Sequence, residues 1–176
     1  MTDVKRAADH MNVMAGIAKT KPTKQPKAKK SGGGIKRTKA DAAFSDCVRE
    51  RAGWCCERCG GGRYEPPTSA LHCAHFFGRG KWGTRHDPDN ADALCYGCHQ
   101  YFGAHPLEFA EWKLARIGQE RMDILREKSN SIELAKAAHK GDKSGEIAEH
   151  YKTELEELAW KRAAGRLGRV EFIGYI

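Results

Sequence analysis

The first run of apolar positions at helical spacing is DAAFSDCVRERAGW, residues 41–54, where Ala43, Phe44, Cys47 and Val48 recur on one face. The run predicts a short amphipathic helix packed on the segment C-terminal to it, with Cys47 as a small buried side chain. LHCAHFF, 71–77, reads as a short strand, and GRGKWGTRHDPDN, 78–90, as a loop. From Pro106 the pattern turns helical. Proline suits a first helical position, and PLEFAEWKLARIG presents Leu107, Phe109, Ala110, Trp112, Leu114 and Ile117 before Gly118 interrupts it. Two charged helical stretches come next, 119–139 and 144–165, separated by KGDKSG. They read as an accessory extension. Residues 1–17 support only a weak helix, and no internal repeat is evident. A short strand among helices predicts the α+β class.

Composition changes this picture at the N-terminus. The chain has 176 residues, enough for one compact domain with an arm or extension, and a formal net charge of +8. That charge suggests a polyanionic partner, most simply DNA. It is unevenly placed. Residues 19–39, KTKPTKQPKAKKSGGGIKRTK, carry nine lysines and arginines, among them Lys29, Lys30 and Arg37, and no acid. Such a stretch cannot bury an apolar face, so residues 1–40 are expected to be a disordered basic arm that adds phosphate affinity or serves as a linker.

No window of the chain approaches a membrane span, and the N-terminus lacks the apolar core of a secretory signal, so a reducing, cytoplasmic compartment is expected. The seven cysteines, at 47, 55, 56, 59, 73, 95 and 98, then point to a metal rather than to disulfides.

Cys56-Glu-Arg-Cys59 and Cys95-Tyr-Gly-Cys98 are two CxxC pairs. Each closes a tight chelate turn, with Gly60 or Gly97 letting the backbone turn with it. Four thiolates suit Zn2+ and leave no open coordination position, so the zinc is expected to be structural. Cys55 is the rival of Cys56, but the tighter spacing favours Cys56; Cys73 reads as core. The long interval between the pairs leaves room for a functional loop.

His99 stands directly after Cys98. On a helix it lies about 100° further round, so it can face that loop instead of the zinc. The loop holds His72, His75, His86, Asp87, Asp89 and Asn90. Imidazoles, carboxylates and an amide beside basic residues are what a divalent-metal nuclease requires. Arg79, Lys81 and Arg85 are the loop cations expected to approach phosphates, and Trp82 is placed to touch DNA. His86 and His105 read as surface or helix-start residues; His10, His139 and His150 read as exposed. Phe76, Phe77, Tyr101 and Phe102 read as core.

AHFFGRG (74–80), Asn90 and LCYGCHQ (94–100) together resemble the HNH endonuclease motif of the ββα-metal fold. HFFGRG, HDPDNADALCYGCHQYF and HPLEFAEWKLARIG are similar to the NinG-type recombination proteins of lambda-like phages. The resemblance covers about Phe44 to Ile117. It implies a zinc-stabilised HNH core over 41–118, with 119–176 as the helical extension. It also implies a metal-dependent DNA endonuclease acting in phage recombination on branched or single-strand-containing DNA, in the host cytoplasm, with recombination proteins as possible partners. His75 would be the general base, Asn90 would hold the loop or metal, and His99 would ligate a catalytic Mg2+ or Mn2+. One position departs from the pattern. Many HNH sites carry a metal-binding acid or histidine immediately before the first histidine, where this chain has Ala74. His72, Asp87 and Asp89 are the substitutes available. Because His72 and His75 would point to opposite faces of a strand, Asp87 and Asp89 rank first. The alternative function is a zinc-organised DNA-binding module without chemistry.

Overall fold

The computed structural model describes residues 35–139 and 143–175. The arm expected over 1–40 therefore lies outside the described residues as far as residue 34. Its last six residues belong to the fold. Helix α1, Lys39–Arg51, is fixed by Thr38, whose hydroxyl accepts from the Asp41 amide at 3.2 Å while Asp41 Oδ2 accepts from the Thr38 amide at 2.7 Å. This reciprocal capping satisfies two amides that a helix start otherwise leaves unpaired. The lysines around Thr38 masked that signal in the composition.

Strand β1, Leu71–His75, pairs antiparallel with β2, Ala91–Cys95, in the register Leu71↔Cys95 to His75↔Ala91. Helix α2, Tyr96–Ala104, starts directly from β2. Helix α3, Pro106–Asn130, breaks at Gly118, whose φ of 80° and ψ of 167° only glycine adopts without strain. Helices α4, Ile132–His139, and α5, Ser144–Ala163, complete the described elements. The fold is α+β, five helices around one two-stranded sheet among the described residues. No helix among these residues is long and apolar enough to cross a membrane.

The core forms where α1 lies against α5 and the sheet. Phe44, Cys47, Val48, Leu71, Leu94, Tyr151 and Leu158 are fully buried in one cluster. Phe44 meets Tyr151 edge-on with ring centroids 5.1 Å apart, and the Cys47 thiol donates to the Tyr151 carbonyl at 2.9 Å. The stretch from residue 119 is thus no accessory extension: α5 supplies Ile147, Tyr151 and Leu158 to the central core, and Ile35–Ile176 forms one compact unit. Its heavily charged sequence hid this because few positions carry the packing. Phe76 and Phe77 pack as expected of core residues, but against a separate cluster of Ile117, Met122 and Leu125.

A second set of buried groups is ionic. Arg51, Asp92 and Lys113 are each 0% exposed. Lys113 Nζ donates to Asp92 Oδ2 at 2.6 Å, and Arg51 reaches Glu57 Oε2 at 3.1 Å and the Ala91 carbonyl at 2.6 Å. Arg116 at 2.8 Å and Arg169 also bind Glu57. Glu57 Oε2 further accepts from the Ala93 amide at 2.7 Å. Two carboxylates thereby tie α1, β2, α3 and the C-terminal segment together.

If α5 is integral to the core, Leu158→Ala should destabilise the whole protein by about 2–5 kcal/mol, as buried leucine truncations do. Urea unfolding monitored by circular dichroism checks this. A change within about 0.5 kcal/mol, typical of surface positions, would return α5 to an appendage.

Candidate metal centre and adjoining cavity

The turn after Cys56 and the start of α2 bring four sulfurs together. The Sγ atoms of Cys56, Cys59, Cys95 and Cys98 all lie within 4.8 Å of one another, so they can hold a metal ion. Cys59 and Cys95 are 4.0 Å apart, close to the spacing of about 3.8 Å that tetrahedral Zn–S bonds of about 2.3 Å require. Local backbone builds the cluster. Gly60 adopts φ 67° and donates to the Cys56 carbonyl at 2.9 Å, turning the first knuckle. Gly97 sits in ordinary helix, so Gly60 carries the turn the sequence assigned to either. Cys95 caps α2, its sulfur accepting from the Cys98 amide at 3.5 Å. Burial works to raise the Cys56 thiol, but amides of Cys59, Cys95 and Arg58 outweigh it and lower it to about 7. Arg58 donates to Cys98 Sγ at 3.6 Å and lies over the Tyr101 ring at 4.0 Å, placing a cation beside the sulfurs. Cys55 stays outside the cluster, and desolvation pushes Cys73 up to about 12.

From Cys98 the helix turns His99 away from the sulfurs and toward β1. There His99 Nδ1 meets His72 Nδ1 at 2.8 Å, with the rings nearly perpendicular at 85°. Burial and then the neighbouring His72 lower the pKa of His99. Two imidazole nitrogens at this separation either share a proton or can share a cation, which at about 2.0–2.2 Å from each would need them about 3 Å apart. Of the substitutes for Ala74 ranked from the sequence, it is His72 that stands beside His99. Two-stranded ribbons twist strongly, and in β1 it is Leu71 and Ala74, three residues apart, that are buried; His72 and His75 come round in the same way. Both line one cavity of about 490 Å³, together with His99, Cys73, Ser45, Asp41, Arg37, Arg49 and Arg79.

Asp87 and Asp89 are occupied elsewhere. Asp87 Oδ1 accepts from the Asp89 amide at 2.9 Å, capping the short turn Pro88–Asn90, and Asp87 Oδ2 pairs with Lys128 at 2.8 Å. Asp89 accepts from Arg121 Nε at 2.8 Å. The Asp-Pro pair in HDPDN is itself a cap signal that foretells this role.

His75 Nε2 lies 2.9 Å from the Arg85 carbonyl. A carbonyl only accepts, so Nε2 carries the proton and Nδ1 keeps its lone pair. Burial first, then the charges of His86 and Arg79, lower His75 to about 4, overriding the carbonyl bond that favours protonation. At pH 7 His75 is a neutral imidazole whose Nδ1 has no hydrogen bond among the described residues. Asn90 is fully buried and clamps the loop around β1: Nδ2 donates to the Phe77 and Thr84 carbonyls at 2.9 and 2.8 Å, and Oδ1 accepts from the Phe77 amide at 2.7 Å. Gly83 in that loop is forced, because a Cβ there would stand 2.4 Å from the Lys128 carbonyl.

Of the expected phosphate-binding residues, Arg85 is corrected. It is 0% exposed, donates from Nε and Nη2 to Asp41 at 2.7 and 2.6 Å, and lies over the Trp82 ring at 4.3 Å. His86 is likewise no surface residue; its Nε2 donates to Asp41 at 3.1 Å and its ring meets Phe44 edge-on. Burial works to raise the Asp41 carboxyl, but Arg85, His86 and the Thr38 amide hold it well below the usual carboxylate range. Lys81 is exposed, and Arg79 and Arg37 line the cavity. His105 begins α3 as expected. Lys29, Lys30 and His10 lie outside the described residues. No protein family, curated protein or solved structure matches the chain.

The cysteine cluster joins two segments distant in sequence, so a metal bound there would contribute directly to folding. Purified protein should hold one zinc per chain by elemental analysis. Cys98→Ser and Cys56→Ser should each lose the metal and the cooperative thermal transition. Full stability without zinc would remove the metal centre.

Proposed function

We propose that this protein is a metal-dependent DNA endonuclease of the HNH type, hydrolysing a phosphodiester bond in a cavity bounded by β1, α1 and the start of α2. The observation that carries the reading is the pairing of His72 with His99 in the cavity that also receives His75. Ala74 vacates the usual ligand position, and His72 offers a donor from the same strand. Zinc at the four cysteines holds the hairpin and α2 in place. A second ion held by His72 and His99 would neutralise the scissile phosphate. Two imidazoles form a softer donor set than carboxylates, which favours Mn2+ over Mg2+ as that ion.

The chain's own groups supply the rest. His75 Nδ1 takes the proton from an attacking water, while its Nε2–H stays anchored on the Arg85 carbonyl. Asp41 fixes Arg85 by two hydrogen bonds and so holds that carbonyl still. Asn90 fixes the loop that forms the cavity's far wall, as the motif resemblance implies. Arg37, Arg79 and Lys81 face the polyanion. The likeness to NinG-type recombination proteins supports branched or single-strand-containing phage DNA as substrate, with other recombination proteins as partners. A zinc-organised DNA-binding module is the competing reading, in which His72 and His99 only share a proton.

His75→Ala should retain zinc, fold and DNA affinity while losing cleavage by about 10²–10⁴-fold, the usual worth of a positioned base. Because His75 is held near 4, below the ordinary histidine value of 6.5, the base stays unprotonated as pH falls through 6.5. An acid limb attributable to it should therefore lie well below pH 6.5 and vanish in His75→Ala. The same depressed value means that holding this imidazole neutral costs stability progressively as pH falls from 6.5 toward 4, so the protein should be less stable in acid than above pH 6.5. Undiminished cleavage in a clean His75→Ala preparation would reject the base. Deleting residues 1–34 should weaken DNA binding and flatten its salt dependence, since fewer counterions are released; an unchanged slope would make the arm a linker.

A further inference from the structure

The cavity that holds the three histidines has a cationic wall that the motif resemblance does not assign. Its lining includes three guanidinium groups, Arg37, Arg49 and Arg79, against one carboxylate, Asp41, which Arg85 already neutralises. Arg49 is the informative member. It is 5% exposed, yet it lines the cavity. Nε donates to the Leu71 carbonyl at 2.7 Å, and Nη1 donates to Asp46 at 2.7 Å and Ser45 at 3.2 Å. Nη2 has no hydrogen bond among the described residues. A guanidinium oriented by two of its nitrogens, with the third left for the cavity, is prepared for an oxyanion. Arg37 stands beside it, donating to the same Ser45 hydroxyl at 2.9 Å, and Arg79 is held across the loop by the Ile35 carbonyl at 3.0 Å.

We propose that Arg49, with Arg37 and Arg79, forms a phosphate cradle that grips a backbone phosphate of the bound strand beside the His72–His99 pair. The inference deepens the nuclease reading and rests on it for the identity of the strand, but the anion site itself does not. The Leu71 bond matters here, because it ties the cradle to the strand that carries His72 and His75. A phosphate seated on Arg49 would therefore be held in a fixed relation to the base.

The test uses full-length, zinc-loaded wild type, Arg49→Gln, Arg49→Lys and Arg37→Ala, each checked for zinc and for its thermal transition. Inorganic phosphate is titrated while the imidazole resonances of His72 and His99 are monitored. DNA binding is measured without added Mg2+ or Mn2+ over a range of salt. Phosphate should shift both resonances in wild type. Its affinity should fall about 5- to 100-fold in Arg49→Gln, with partial recovery in Arg49→Lys, and the salt slope of DNA binding should drop by about one. Should Arg49→Gln fail to fold, Arg49→Lys and Arg37→Ala carry the same comparison. Phosphate without effect on wild type, or folded variants that bind phosphate and DNA as wild type does, would overturn the cradle. A phosphate response that needs Arg49 in a protein that neither binds nor cuts DNA would keep the cradle and reject the nuclease.

Discussion

Four sulfurs from two distant CxxC segments set the geometry on which everything else depends. Their convergence fixes the end of β2 and the first turn of α2, and with them the direction in which His99 leaves the helix. Glu57 lies inside the first of those segments and carries the constraint outward. It binds Arg51 of α1, Arg116 of α3, Arg169 of the C-terminal segment and the Ala93 amide of β2. A buried ion network of this kind adds little net stability compared with apolar packing, but removing one partner costs about 3–5 kcal/mol because the other charge stays buried. Its effect is to permit one arrangement of cluster, sheet and helices.

That arrangement separates two kinds of chemistry over a single turn of chain. Cys98 faces a closed set of thiols with no coordination position left over, while His99 faces a cavity lined by imidazole and guanidinium groups. The histidine directly after the second cysteine is explained by this division. One residue on a helix is about 100°, enough to serve two sites without sharing an atom between them. Around the cavity the loop is restrained by Asn90 and by the Asp41–Arg85–His86 cluster. His75 consequently meets the cavity with its tautomer already chosen.

Much of this was legible in the chain. The CxxC pairs, the strand near His75, the helix after Pro106 and the break at Gly118 are local signals, and local signals survive folding. Long-range relations were not legible. His72 was ranked low by strict strand alternation, which a twisted two-stranded ribbon does not obey. Arg85 looked like a loop cation because nothing local shows that Asp41, 44 residues earlier, accepts from it. Nothing local shows the Leu71 partner of Arg49, and α5 looked like an appendage, because their partners come from other parts of the fold. Cap chemistry lies between the two cases: Asp87 before Pro88 and Thr38 before Asp41 were readable, but charge-rich surroundings drew attention to other roles.

The central claim is that a second ion at His72 and His99 turns a zinc-held scaffold into a nuclease. The most direct measurement is metal add-back to zinc-loaded, full-length protein with branched and single-stranded DNA. Cleavage should be absent with zinc at the cysteines alone and should appear once Mn2+ is added, and His99→Ala should abolish it while zinc content and DNA binding persist. DNA bound but left intact at every added ion, or Mn2+-dependent cleavage unchanged in His99→Ala, would contradict that claim.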